Sequence, residues 1–133
     1  MTSTEERTEA SRALMVRMYD SAVKGDFPDV LACLSPDLVV NEPPFLPYGE
    51  IYRGRDGFEK LISRVTLVLD VSRMVIDRMV AEDDRVIGII RMPELASGED
   101  ILLAEESLIR DGQVVEINVY FHETRGLHTA PRL

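Results

Sequence analysis

The sequence predicts an α+β fold: a cone-shaped, curved sheet, antiparallel or mixed, with three N-terminal helices on its concave face. Three observations predict it. Apolar residues recur at helical spacing through the first half of the chain, and after Val65 the spacing changes to alternation. The alternating half is divided by turn signals, of which Asp111-Gly112 is a strong hairpin dipeptide. Helices first and hairpins afterwards make an α+β pattern, not an alternating βαβ one. A length of 133 residues suits a single domain with its own core. Residues 123–133 read as a C-terminal tail, in which Pro131 argues against a last strand.

Thr4 to Val23 reads as an amphipathic helix. Ala10, Leu14, Met18 and Ala22 form one line, and Met15, Tyr19 and Val23 widen it. Thr4 is the expected cap, Glu5 and Glu6 suit the first turn, and Gly25 ends the helix. Asp26 caps a short second helix with Phe27, Val30, Leu31 and Leu34 inward, and Ser35-Pro36-Asp37 terminates it. Leu38 to Glu42 is a short strand expected at the sheet edge. A third helix runs from about Asp56 to Val65, with Phe58, Leu61, Ile62 and Val65 on one face. Four strands follow, over about 72–81, 85–92, 101–110 and 114–122.

Several function classes are disfavoured at once. A net charge of -9 works against nucleic acid and anionic membranes, which both need a basic face. No apolar run approaches the roughly 20 residues of a membrane span. The start Met1-Thr2-Ser3-Thr4-Glu5-Glu6 lacks the basic and apolar regions of a signal peptide, so a cytoplasmic location is expected. Cys33 is alone and set among apolar residues, which suits a buried, inert thiol. His122 and His128 do not cluster with cysteines or with each other at metal-ligand spacing. No metal and no cofactor are expected.

The stretch from Val39 to Gly49 organises the rest. An apolar run leads into Glu42, and Pro43, Pro44 and Pro47 then stop regular structure. A carboxylate at the base of a stiff loop is a place for chemistry, although the stretch by itself reads first as a polar strand end followed by a connector. A half-open cone leaves a cavity between sheet and helices, where a small ligand would go.

The chain resembles the nuclear-transport-factor-2-like superfamily, which holds ketosteroid isomerases, SnoaL-type polyketide cyclases and their relatives. Four segments carry the resemblance: Met15–Tyr19 through Lys24–Phe27, Leu34–Pro43, Tyr52–Asp56 and Arg110–Glu116. The loop Leu46-Pro47-Tyr48-Gly49 is more similar to SnoaL-like proteins than to the steroid isomerases. The resemblance implies that Glu42 stands where a steroid isomerase places the aspartate that shuttles the proton. It also implies that Glu105 stands where that family keeps a protonated aspartate donating to the oxyanion. The family's helix tyrosine falls on Met18; Tyr19 is one residue away, a rotation of about 100°. Tyr48 or Tyr52 would be a substitute donor.

Strand parity supplies a reading from the residues themselves. Gly88, Ile90, Met92, Ser107, Ile109, Ile117, Val119 and Phe121 fall inside, and Glu105 falls among them. With Met18, Phe58 and Leu61 they make up the expected cavity wall. Desolvation there favours a neutral Glu105, while Glu42, nearer the loop, stays ionised and accepts a proton. Alternatively Glu105 pairs with an arginine such as Arg53, or a slip of one residue turns Glu106 inward. His122 lies by parity on the outer face with Tyr120, at a strand end from which a bend would bring it to the cavity mouth. Arg53 and Arg55 either position an anionic group or tie the loop to the third helix. Ile87, Ile89, Leu108 and Tyr120 leave an apolar patch on the outer face of the sheet, and a homodimer is expected there.

The expected function is binding of a small apolar or enolisable organic ligand. Its catalytic form is a cofactor-free isomerase, cyclase or lyase that abstracts a proton beside a carbonyl. The alternatives are a non-catalytic binding or dimerisation module and a carboxylate-dependent hydrolase of epoxides or esters.

Overall fold

The computed structural model describes residues 3–133. Met1 and Thr2, which begin the segment read as lacking a signal peptide, lie outside the described residues. Helix α1 spans Thr4–Lys24 and is capped by Ser3, not Thr4: the Ser3 hydroxyl accepts from the Glu6 amide at 3.1 Å. Gly25, at φ 76°, ends it in the left-handed conformation. Its buried face is Ser11, Met15, Met18 and Tyr19, and Ala10 is exposed. The face is therefore rotated from the expected line through Ala10 and Leu14. Polar contacts set the rotation. Ser11 donates to the Asp83 carbonyl at 2.7 Å, and the Asp83 amide donates to the Thr8 hydroxyl at 2.8 Å. Apolar periodicity gives no sign of such contacts.

Helix α2, Phe27–Ala32, is capped by Asp26, which accepts from the Asp29 amide. Strand β1 then begins at once and covers Leu34–Asn41. Ser35-Pro36-Asp37, expected as a terminator, lies inside it. The pairing register shifts between Leu34 and Val39, and that irregularity accommodates the proline. β1 is not an edge strand either. It pairs in parallel with β6 (Gln113–Phe121) and antiparallel with β2 (Ile51–Arg53), a three-residue strand that forms the true edge.

Helix α3 covers Gly54–Val65 and buries Phe58, Leu61 and Val65. A 3-10 turn at Val71–Arg73 precedes β3, Val75–Glu82, so that strand starts later than residue 72. The Asp70 carboxylate holds the turn by accepting from the Ser72 amide and hydroxyl. β4 (Arg85–Pro93) and β5 (Asp100–Arg110) complete the sheet. Asp111 and Gly112 both have positive φ, 52° and 73°, as a tight hairpin turn requires. Just beyond, Ile109 pairs with Val114 and Leu108 with Glu116, so Val115 is an extra residue that bends the strand.

The strand order is β2-β1-β6-β5-β4-β3, a six-stranded mixed sheet that does not close. α3 packs on β1 and β2, and α1 crosses β3 and β4. This is the expected α+β cone. The last residues do not hang free: a 3-10 turn at Arg125–Thr129 buries Leu127 to 2% exposure. No helix among the described residues is long and apolar enough to cross a membrane.

Candidate active site

Glu105 sits in the middle of β5, opposite Gly88 of β4 and Val119 of β6. Two ladders of regular hydrogen bonds therefore fix its backbone. The Tyr19 ring from α1 lies against Gly88, where an added Cβ would stand 3.0 Å from the hydroxyl and 3.4 Å from the ring. A strand glycine here admits an aromatic ring close to the backbone. The ring thereby reaches the neighbouring strand, and its hydroxyl donates to Glu105 Oε1 at 3.0 Å.

Glu42 is the first residue beyond β1, and the ladder does not hold it. Its amide donates to the Glu50 carbonyl at 3.2 Å, and its Oε1 is buried without a hydrogen-bond partner. The loop that follows folds tightly. Leu46 donates to the Pro43 carbonyl and Gly49 to the Leu46 carbonyl. A Cβ on Gly49 would lie 2.0 Å from the Pro43 oxygen, so only glycine fits. Leu46 and Tyr48 are buried. The Tyr48 carbonyl accepts from the Tyr52 hydroxyl at 2.6 Å, and Tyr52 in turn accepts from Arg64, which also pairs with Glu50.

The two carboxyls and the Tyr19 and Tyr48 rings face one cavity of about 80 Å³. Phe58, Leu61, Val65, Leu69, Met74 and Met92 make its apolar part. No arginine, lysine or histidine lines it among the described residues. Nor do three His, Cys, Asp or Glu side chains come together there as metal ligands. Without a counter-charge, burial dominates the electrostatics. It raises Glu105 above the ordinary carboxyl value of 4.5, and the Tyr19 hydrogen bond partly opposes the rise. Burial raises Glu42 well above the same value, and the Glu105 charge adds to it. Tyr19 gives Glu105 a hydrogen-bond donor that Glu42 lacks, which favours the charged form at Glu105 over Glu42, whereas the sequence predicts Glu42 ionised and Glu105 neutral.

Comparison with known proteins places the fold. The family described as "SnoaL-like domain" matches residues 15–117, which hold both carboxyls and both tyrosines. The chain belongs to that family. Among solved structures, this SnoaL-like domain is similar to Bal32a from a soil-derived mobile gene cassette (TM-score 0.79, 18% identity, covering 88% of this chain and 92% of that one). It is also similar to an NTF2-like protein of unknown function from Burkholderia pseudomallei K96243 (TM-score 0.74, 21% identity, 91% and 98% covered). A third is a protein of Kribbella flavida DSM 17836 assigned provisionally as a ketosteroid isomerase (TM-score 0.73, 19% identity, 88% and 81% covered). At these identities the likeness is one of fold. A comparison with curated proteins finds no match.

Of the residues singled out in the sequence, Met18, Tyr19, Glu42, Tyr48, Phe58, Leu61, Met92, Glu105, Ile117, Val119 and Phe121 line the cavity of the SnoaL-like domain. Met18 and Tyr19 both do so, because the buried face of α1 is centred between them. Others lie elsewhere. Gly88 is covered by Tyr19, and Ile90 is wholly buried core. Ser107 is buried too, with its hydroxyl unpartnered. Ile109 is buried but off the cavity. Arg53 is exposed at the start of α3, and its neighbour Arg55 donates to the Leu34 carbonyl. Glu105 therefore has no arginine partner. Glu106 points outward, where Arg85 and Asn118 donate to it. His122 is exposed past the end of β6 and does not reach the cavity. Val40 and Leu103, each two residues before a carboxyl, were missed as lining residues. Extending the parity by one step would have found both.

Proposed function

We propose that this SnoaL-like domain binds a small, uncharged, largely apolar carbonyl compound and catalyses cofactor-free proton transfer beside the carbonyl, as an isomerase, cyclase or lyase does. One observation carries the reading: two carboxyls, each only partly exposed and in unequal surroundings, face a single apolar cavity that has no cation. Groups whose environments push their proton affinities apart make an acid/base pair. An anionic ligand would meet two carboxyls and no positive charge, so a neutral one is favoured.

The roles follow from the hydrogen bonds. Glu105, with Tyr19 donating to it, is the carboxylate that takes the proton as the C–H bond breaks. Glu42, neutral and unpartnered at Oε1, donates to the carbonyl oxygen as negative charge develops there. Tyr48, which lines the cavity and whose hydroxyl burial holds in its neutral form, is the second donor in this reading. The dry wall formed by Leu69, Met74 and Met92 strengthens both interactions. The domain acts as a homodimer joined through the outer face of the sheet, where Tyr120 is 57% and Ile87 37% exposed. Tyr120→Asp would shift it to monomer in sedimentation.

The test is NMR-detected deuterium exchange beside the carbonyl for a panel of ketones and lactones. The wild type should exchange at least one of them. Glu105→Gln should lose about 10²–10⁴-fold in rate, and Glu42→Gln should slow less. Binding without exchange would favour the non-catalytic module, and release of an acid or diol from an ester or epoxide panel would favour the hydrolase. Normal exchange by Glu105→Gln would overturn the assignment of roles.

A further inference from the structure

The segment Pro43–Gly49 carries Tyr48 and follows directly on Glu42, yet it belongs to no helix and no strand. Its backbone groups need partners all the same, because Leu46 to Gly49 are buried. Most of those partners come from the far end of the chain. One nitrogen of the Arg132 guanidinium donates to the Leu46 carbonyl at 2.8 Å and lies 3.4 Å from that of Pro44. The other donates to the Gly49 carbonyl at 3.1 Å. The Leu133 amide donates to the Pro47 carbonyl at 2.9 Å. Tyr52 supplies the Tyr48 carbonyl, so every carbonyl from Leu46 to Gly49 is taken by a donor.

We propose that Arg132 is a positioning residue for the cavity: its planar fork clasps three loop carbonyls and so holds Tyr48 and Glu42 against the cavity wall. A guanidinium suits the task because its donors are rigidly splayed and reach several acceptors at once. The anchor is itself braced, since Leu127 is buried in the core a few residues earlier and brings the chain end back over the loop. The loop side is equally preset: Gly49 lets the turn close on Pro43. The last turn of the chain is thus a part of the site that none of its own side chains enters.

The inference rests on the reading of Glu42 and Tyr48 as site residues, but its test needs no substrate, so it can fail while catalysis stands. Glu42 is faced by Glu105 from β5, by Tyr48 from the loop and by Tyr52 from β2. In Arg132→Ala, side-chain carboxyl ¹³C NMR should show Glu42 titrating closer to the ordinary value near 4.5, because a released loop admits water. Glu105, fixed by the ladder and Tyr19, should move much less. The Gly49 amide should exchange about tenfold faster, the loss of about one hydrogen bond's worth of local stability, while amides of β4 and β5 keep their protection. Arg132→Lys, which keeps the charge but not the fork, should show the same direction and covers the case in which the alanine variant does not fold. An unmoved Glu42 together with an unmoved Gly49 amide, in whichever variant is folded, would overturn the proposal.

Discussion

Glu105 is delivered by the middle of a central strand and Glu42 by the first residue of an irregular loop, and their surroundings differ accordingly. Around Glu105 the support is regular: two neighbouring strands, a helix and a tyrosine lying on a strand glycine. Around Glu42 the support is a set of single contacts from Glu50, Tyr52, Arg64 and Arg132. The regular half gives its carboxyl a hydrogen-bond donor, and the irregular half leaves its carboxyl without one. In the proposed chemistry that inequality separates a proton acceptor from a proton donor within one cavity. It also assigns the adaptable half of the site to the loop.

Each half contains a glycine that admits something close, and the two substitutions should differ in size. Gly49→Ala drives a Cβ into backbone at 2.0 Å, where nothing can turn aside. It should cost about 3 kcal/mol or more in urea unfolding. Gly88→Ala meets only the Tyr19 side chain, which can shift by a few tenths of an ångström. It should cost about 1–2 kcal/mol. A larger loss at Gly88 than at Gly49 would break the contrast.

The two halves also differed in how far the sequence disclosed them. The regular half could be read from alternation along 101–110, which turns Glu105 inward with Ser107 and Ile109, and the Asp111-Gly112 turn set the register. Glu42 could be read as a carboxylate before a proline loop. What holds it could not, because Arg132 lies 90 positions away and exposed arginines are common. The edge strand Ile51–Arg53 was hidden for a related reason, since three residues carry too little alternation to register. Tyr19 seemed one residue out of place because the rotation of α1 is set by Ser11 and Thr8 at the Asp83 turn. His122 drew attention by chemical type, whereas β6 ends one residue earlier and leaves it in solvent.

The loop carboxyl should reveal itself through stability. Glu42 is raised above 4.5, so between that value and its native value the folded state holds a proton the unfolded state has lost. Stability from this group is complete below about pH 4 and declines as pH rises. Glu42→Gln should therefore stabilise the domain by about 1–3 kcal/mol near pH 8 and by almost nothing at pH 4, read as thermal midpoints across pH. A variant that is less stable at pH 8 would contradict the burial account. The smallest effect is expected from Tyr19→Phe, about 1 kcal/mol from the lost hydrogen bond. The same change should raise Glu105 and ease the charge on Glu42, narrowing the difference between them.

The measurement that bears most directly on the pair is a titration of both side-chain carboxyls by ¹³C NMR in the wild type. Glu105→Gln and Glu42→Gln would isolate each group from the coupling. Both carboxyls should titrate above 4.5, with Glu105 losing its proton at lower pH than Glu42. A Glu42 that ionises in the ordinary carboxyl range, or ahead of Glu105, would contradict the division of acid and base on which the proposed chemistry stands.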